Sequence, residues 1–205
     1  MKILDAAGVL NDRSNPMDFN DSLQVISGCI AGNEAAIERL IYQYQNAVFR
    51  LTLSVLNDPT EANEATQDTF IAALAALESY REHSSFKSWL YTIALNISRN
   101  RLRKRRTIER LNQTLQAIFR VQVQKTASPE ELVIRSEKDA DLWRALSCLG
   151  EKQRIPIILR YFHELSTAEI AEVLQINEGT VHSRLHVGRE RLRAELEKQA
   201  GYSGE

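Results

Sequence analysis

The sequence predicts an all-α protein, with helices on both sides of a linker and a helix-turn-helix at its C-terminal end. Three observations lead there. Apolar residues recur three and four positions apart in one segment after another, the spacing of a single helix face. Breakers and caps such as Asn57-Asp58-Pro59 and Ser128-Pro129-Glu130-Glu131 fall between those segments. The C-terminal third reads as short helix, three-residue turn, longer helix. With 205 residues, 43% hydrophobic and 26% charged, the chain has an ordinary globular composition and room for one or two domains.

Residues 1–20 are polar and weakly patterned, with Asn15-Pro16 as a breaker, and are expected to form a frayed tail. Met17 is a second candidate initiator. A short helix is expected over Asp21 to Ile30, ended by Gly28 or Gly32. Ile37, Ile41, Tyr44, Val48, Leu51 and Val55 mark the next helix, with Asn33 as its cap. Glu61 to Leu77 carries Ala65, Phe70, Ile71, Leu74 and Leu77 beside Glu61, Glu64 and Asp68.

The stretch from Ser84 to Arg106 joins two characters in one helix. Phe86, Leu90, Ile93, Ala94 and Ile97 form a core-seeking front, with Ser84 or Ser85 as cap. Arg99, Arg101, Arg103, Lys104, Arg105 and Arg106 form a cationic tail. Apolar anchorage plus cations that displace phosphate counterions suits nucleic acid. Tyr80, Phe86, Trp89 and Tyr91 crowd the start of that helix amid Arg81 and Lys87. Interleaved rings and cations hold unpaired bases. Phe86 and Trp89 are better placed as core, so Tyr80 and its loop are the contact candidates.

Residues 107–127 are Gln-rich and loosely periodic, and read as a linker. Ser128, Pro129 and Glu131 then supply a cap, a first-turn proline and a capping-box acid. That helix is expected to run through Leu132, Leu142 and Leu146 to about Cys148, with Gly150 as stop. Another covers Gln153 to Phe162; Pro156 fits only a first turn, so the helix should begin near Arg154 or bend. Thr167 to Leu174, the turn Gln175-Ile176-Asn177, and Glu178 to Gln199 make the helix pair, and 200–205 a tail. On its second helix Val181, Leu185, Gly188 and Leu192 share one face and Gly179, Ser183, His186 and Glu190 the opposite one. His182 and Arg189 lie on one shoulder, Thr180, Arg184 and Arg191 on the other. Such a helix enters a major groove by its N-terminal half, with shoulder residues on phosphates.

The formal net charge of −1 hides segregation. Residues 1–80 hold 4 Lys/Arg against 11 Asp/Glu, residues 81–127 hold 11 against 2, and residues 128–205 hold 11 against 14. An acidic first segment before a basic middle suggests two different partners. A protein that coats duplex DNA unaided is usually basic throughout. No apolar run approaches a membrane span and the start lacks a signal peptide, so membrane insertion is not expected and the cytoplasm is. Cys29 and Cys148 lack a CxxC partner and read as buried thiols in a reducing compartment. His182 and His186 stand four apart without a general-base Glu between them or a third ligand, so no metal site is expected. With no phosphate loop, nucleophile elbow or carboxylate pair, neither catalysis nor a cofactor is expected.

Together these residues resemble the extracytoplasmic-function (ECF) group of bacterial RNA polymerase sigma factors, over about Ser22 to Leu196. Three stretches carry the resemblance: Asn57-Asp58-Pro59-Thr60-Glu61-Ala62-Asn63-Glu64-Ala65-Thr66-Gln67-Asp68-Thr69-Phe70; Phe86-Lys87-Ser88-Trp89-Leu90-Tyr91-Thr92-Ile93-Ala94-Leu95-Asn96 with the Arg run; and Glu169-Ile170-Ala171 with Gly179 to His186 and Arg189 to Arg193. It implies two helical domains, 21–106 and 128–199, joined by a flexible linker. The first would dock on a coiled coil of the polymerase core through Glu61, Glu64, Gln67, Asp68 and Phe70. Tyr80, Arg81, Ser84, Lys87, Asn96, Arg99, Asn100 and Arg103 would meet the −10 element and help open it; capture of an extruded base can offset unstacking. Thr180, His182, Ser183, Arg184, His186 and Arg189 would read the −35 element. An anti-sigma factor is a further partner that such relatives often have.

This chain departs from the family pattern at Ala62, Asn63 and Thr66, where acids are common, which makes the docking helix less acidic. Asn100 replaces a common Asp, His182 a common Lys, and Val187-Gly188 a common Arg-Ala; Gly150 stands where Pro is usual. The rival reading is a stand-alone operator-binding regulator using the C-terminal helices alone. A purely adaptor-like helical protein leaves the basic middle unexplained.

Overall fold

The computed structural model describes residues 19–80, 85–119 and 137–202, and every regular element in them is helical. Of the tails expected at 1–20 and 200–205, residues 1–18 and 203–205 lie outside the described residues, as do the loop at 81–84 and the segment 120–136 with its Ser128-Pro129 start signal; 19–20 and 200–202 are helical instead.

In the first half, α1 (Phe19–Ile30) buries Val25, Ile26 and Cys29. Gly32, at φ +74°, ends it; Gly28 stays inside. A Cβ on Gly28 would stand 2.8 Å from the Ala36 Cβ, so glycine there lets α1 meet α2 (Glu34–Leu56) closely. Asn33 caps α2 by accepting from the Ala36 N–H at 3.1 Å. The corner to α3 (Pro59–Ala76) has no spare residues. Asn57 ends α2 in the left-handed region (φ 54°), Asp58 caps α3 by accepting from the Glu61 N–H at 2.9 Å, and Pro59 opens it. Proline suits that place because the first helical N–H has no partner in any case. A 3₁₀ turn, Leu77–Ser79, follows.

Buried small residues set the α2–α3 distance. The Thr52 hydroxyl donates to the Ala62 carbonyl at 3.0 Å and lies 3.1 Å from the Thr66 hydroxyl. Ala62 and Thr66 therefore face α2 rather than a partner, and the departures at these two positions do not thin the exposed acidic face; only Asn63 does.

The third large helix, α4 (Phe86–Phe119), buries Phe86, Leu90, Tyr91, Ala94, Leu95 and Leu102 against α2 and α3. Ser85 is its cap, its hydroxyl accepting from the Ser88 N–H at 3.2 Å. The helix runs on through 107–119, the stretch expected to begin the linker. Nothing between Arg106 and Phe119 is Gly or Pro, and its Leu, Gln, Arg and Glu are good helix formers.

In the second half, α5 (Glu137–Cys148), α6 (Glu151–Tyr161), α7 (Thr167–Leu174) and α8 (Glu178–Tyr202) pack around Leu146, Ile155, Ile157, Ile158, Leu159, Ile170 and Val181. The start of α6 precedes the one expected from Pro156. The Gly150 carbonyl accepts from the Gln153 and Arg154 N–H groups and sets the helix early. Pro156, buried in its interior, forgoes one backbone bond there. Cys148 is exposed rather than buried: Leu142, Ala145, Leu146 and Leu149 occupy the core face of that helix and its end. Ser166 and Glu169 form a capping box at α7, with bonds of 3.2 and 2.8 Å. Gln175 closes α7 at φ 53°, in the turn expected there.

The halves also touch each other, α2 against α6 and α4 against α7, so the buried apolar residues form one continuous cluster.

Candidate protein and nucleic-acid interfaces

The acidic face of α3 is real but not unpartnered. Glu64, Gln67 and Asp68 are exposed, and Glu61 is half-buried. Arg101 of α4 reaches Glu64 at 2.7 Å and Asp68 at 2.6 Å; Arg105 reaches Glu61 at 3.2 Å and the Leu56 carbonyl at 3.3 Å. Hydrogen bonds to Asp68 and then Glu64 raise the Arg101 pKa further above its already high value. Phe70 is only 5% exposed, so it shapes this face from beneath. Ile71, 68% exposed and next to the Gln67–Asp68 pair, is the apolar member of the surface. Its helical phase beside Glu64 and Asp68 could have shown this, but isoleucine defaults to core in a sequence reading.

On α4, Asn96, Asn100 and Arg103 are exposed at spacings of four and three, which puts them on one stripe. The Arg103 guanidinium donates to the Asn100 side-chain oxygen. Lys104 and Arg106 are exposed as well. Arg99 and Lys87 are placed differently. Arg99 pairs with Glu151 of α6 at 3.0 Å, and the Lys87 ammonium donates to the His163 carbonyl. Burial pushes the Lys87 pKa down, against an opposing pull from Glu164 and Glu169. Tyr80 is half-buried in an aromatic group, 5.6 Å from the Phe86 ring and 5.3 Å from Trp89, with Tyr44 5.4 Å from Phe86. Phe86 is core and Trp89 half-buried. Arg81 and Ser84 lie outside the described residues.

On α8 the helical projection and the packing agree. Val181, Leu185, Gly188 and Leu192 are buried, while His182, Ser183, His186 and Arg189 are exposed together. Arg184 is half-buried. Thr180 is tied to the cap, its N–H and hydroxyl both 2.7 Å from the Asn177 side-chain oxygen. Gly188 is a packing residue: a Cβ there would stand 2.9 Å from Ile157 Cγ1 of α6. Four exposed polar residues thus share the N-terminal half of a braced second helix, the half that enters the major groove in DNA-binding helix-turn-helix proteins.

Residues 40–108 match the family description Sigma-70 region 2, and residues 139–192 match Sigma-70, region 4. The chain is 31% identical over 170 residues to the ECF RNA polymerase sigma factor SigW of Bacillus subtilis (strain 168), covering 80% of this chain and 91% of that one. The chain belongs to the ECF sigma factors. This sigma factor is also 33% identical over 172 residues to the RNA polymerase sigma-H factor of Pseudomonas aeruginosa, covering 82% and 89%. Among solved structures it resembles the sigma factor RpoE in complex with the anti-sigma factor NepR from Bartonella quintana. There the TM-score is 0.62 at 26% identity, over 78% of this chain and 96% of that one. CnrH, solved with the cytosolic domain of CnrY, shares the fold at TM-score 0.62 and 23% identity, over 85% and 96%. The matched regions include α3 and the N-terminal parts of α4 and α8, the three helices that carry the candidate surfaces.

Proposed function

We propose that this sigma factor binds the RNA polymerase core through the exposed face of α3, with Glu61, Glu64, Gln67 and Asp68 as its polar contacts and Phe70 beneath them. The −10 element is met by Tyr80, Arg81, Ser84 and Lys87 around the start of α4 and by Asn96, Arg99, Asn100 and Arg103 along it. The −35 element is read by Thr180, His182, Ser183, Arg184, His186 and Arg189. The chain supplies position and strand opening in the cytoplasm, and bond chemistry belongs to the polymerase. The solved RpoE carries the anti-sigma factor NepR, and a protein of that kind is a candidate partner here as well.

One observation carries the reading. The same chain presents an acidic face on α3, a polar stripe on α4 and a separate exposed stripe on α8. A regulator that used α8 alone would have no role for the first two. The test is transcription in vitro with purified core polymerase and a library of promoter-like DNA. Sequence-selective initiation that needs this chain is expected. If the chain neither joins the core nor supports initiation on any template, the reading is lost.

A further inference from the structure

A contact centred on His163 and Tyr91, residues of none of the three surfaces, joins the two halves. His163, between α6 and α7, is 4% exposed; its ring centre stands 4.8 Å from that of Tyr91 on α4, with Nδ1 3.0 Å from the Tyr91 hydroxyl. Lys87 donates to the carbonyl of the same histidine. Around this centre Ser85 Oγ donates to Glu169 Oε1 at 3.2 Å, Arg99 pairs with Glu151, and Ser147 Oγ donates to Asn57 Oδ1 at 3.3 Å. Each of these pairs a residue before 107 with one after 136. Two of the groups held, Lys87 and Arg99, are assigned above to the −10 element. His182, Ser183, His186 and Arg189 stay exposed.

The contact is built to be broken. His163 Nε2 is buried without a hydrogen-bond partner among the described residues. Whichever tautomer is present, one ring nitrogen can bond Tyr91 and the other is left without a bond, a defect that water removes once the halves part. The charged surroundings also disfavour a second cation. Arg50 of α2 and Lys87 of α4 act on the imidazole as positive charges; Glu164 beside it and Glu169 of α7 are the acids near Lys87. Tyr91, and Tyr44 of α2 coupled to it, are both held neutral by burial.

Resting on the surface assignment above, we propose that this sigma factor restrains itself. The second domain closes over Tyr91 through His163 and occupies Lys87 and Arg99. The melting helix is thereby withheld while the −35 helix stays presented, and protonation of His163 releases the closure. Desolvation first, then Lys87 and Arg50, holds the imidazole down to about 3 in the closed form; freed into water it returns to about 6.5. The closed form thus binds fewer protons. Closure is intact above about pH 6.5 and weakens as pH falls below it. The open-to-closed ratio rises about tenfold between about pH 7.5 and pH 5.5.

Small-angle scattering on the full chain reads the shape directly. The radius of gyration should grow from about pH 7.5 to 5.5 in the unaltered protein. His163→Asn keeps a polar group near the Nδ1 position and cannot titrate, so its profile should not depend on pH over that range. Tyr91→Phe, with circular dichroism to show the helices intact, should be expanded at pH 7.5. At that pH it should also bind a random single-stranded DNA 12-mer severalfold tighter than the unaltered chain, with affinity for a random duplex unchanged. A pH-independent profile for the unaltered chain overturns the proposal, and so does a His163→Asn profile that still responds. If the shapes change as described and strand affinity does not, the closure is supported, and the assignment of Lys87 and Arg99 to DNA is what fails.

Discussion

Two helices of this protein carry basic clusters, α4 and α8, and they use them differently. On α4, Arg99, Arg101 and Arg105 are tied to acids of α6, α3 and α3, while Arg103, Lys104 and Arg106 face outward. On α8, Arg189 and Arg191 are exposed, and Arg193 pairs within the helix with Glu197 at 3.5 Å. Charge counted along a sequence is therefore not charge presented to a phosphate. In α4 the alternation of inward and outward arginines follows helical phase: 101 and 105 fall on the α3 side, 96, 100 and 103 on the open side.

The comparison can be broken or sharpened by mutation. The largest effect is expected for Gly188→Leu, which drives a side chain into Ile157. About 3 kcal/mol of stability should be lost from the C-terminal helices, measured by denaturant unfolding. If the variant were as stable as the parent, α8 would not be braced by α6. Next, Arg189→Ala should weaken duplex binding several-fold and reduce the slope of log affinity against log salt by about 0.9, leaving core-polymerase binding intact. Ser166→Ala removes half of the capping box and should cost about 1 kcal/mol, again by unfolding, with little change in DNA binding because α7 only supports α8. The smallest effect is the sharpest test. Arg101→Ala should leave the salt slope for DNA unchanged and lower stability by less than about 1 kcal/mol, since its carboxylate partners are about half exposed. Arg103→Ala should lower that slope by about 0.9. Equal slopes for the two variants would erase the division between inward and outward arginines.

Much of this was legible from residue order. The helix boundaries at Asn33, Asn57-Asp58-Pro59 and 167–178 rest on local chemistry that caps and left-handed residues announce. The buried face of α8 followed from spacing alone. What could not be read depends on contacts distant in sequence. Arg101 lies 33 residues from Asp68, and its partner is fixed by how α3 and α4 lie together. By residue type alone Ala62 and Thr66 thin an acidic surface; the Thr52 hydroxyl places them inside. His163 has no sequence signature at all; its burial against Tyr91, 72 residues away, exists only once both halves are assembled.

The seat of Gly188 on Ile157 has an evolutionary corollary. Because the bracing of α8 falls to residues that never see solvent, the outward positions 182, 183, 186 and 189 are under almost no packing constraint. On the proposed assignment of these positions to the −35 element, new promoter preferences could be tried there one substitution at a time without unfolding the domain that presents them. Under the same assignment, those four positions are the natural place to randomise when redirecting this factor to a chosen DNA sequence.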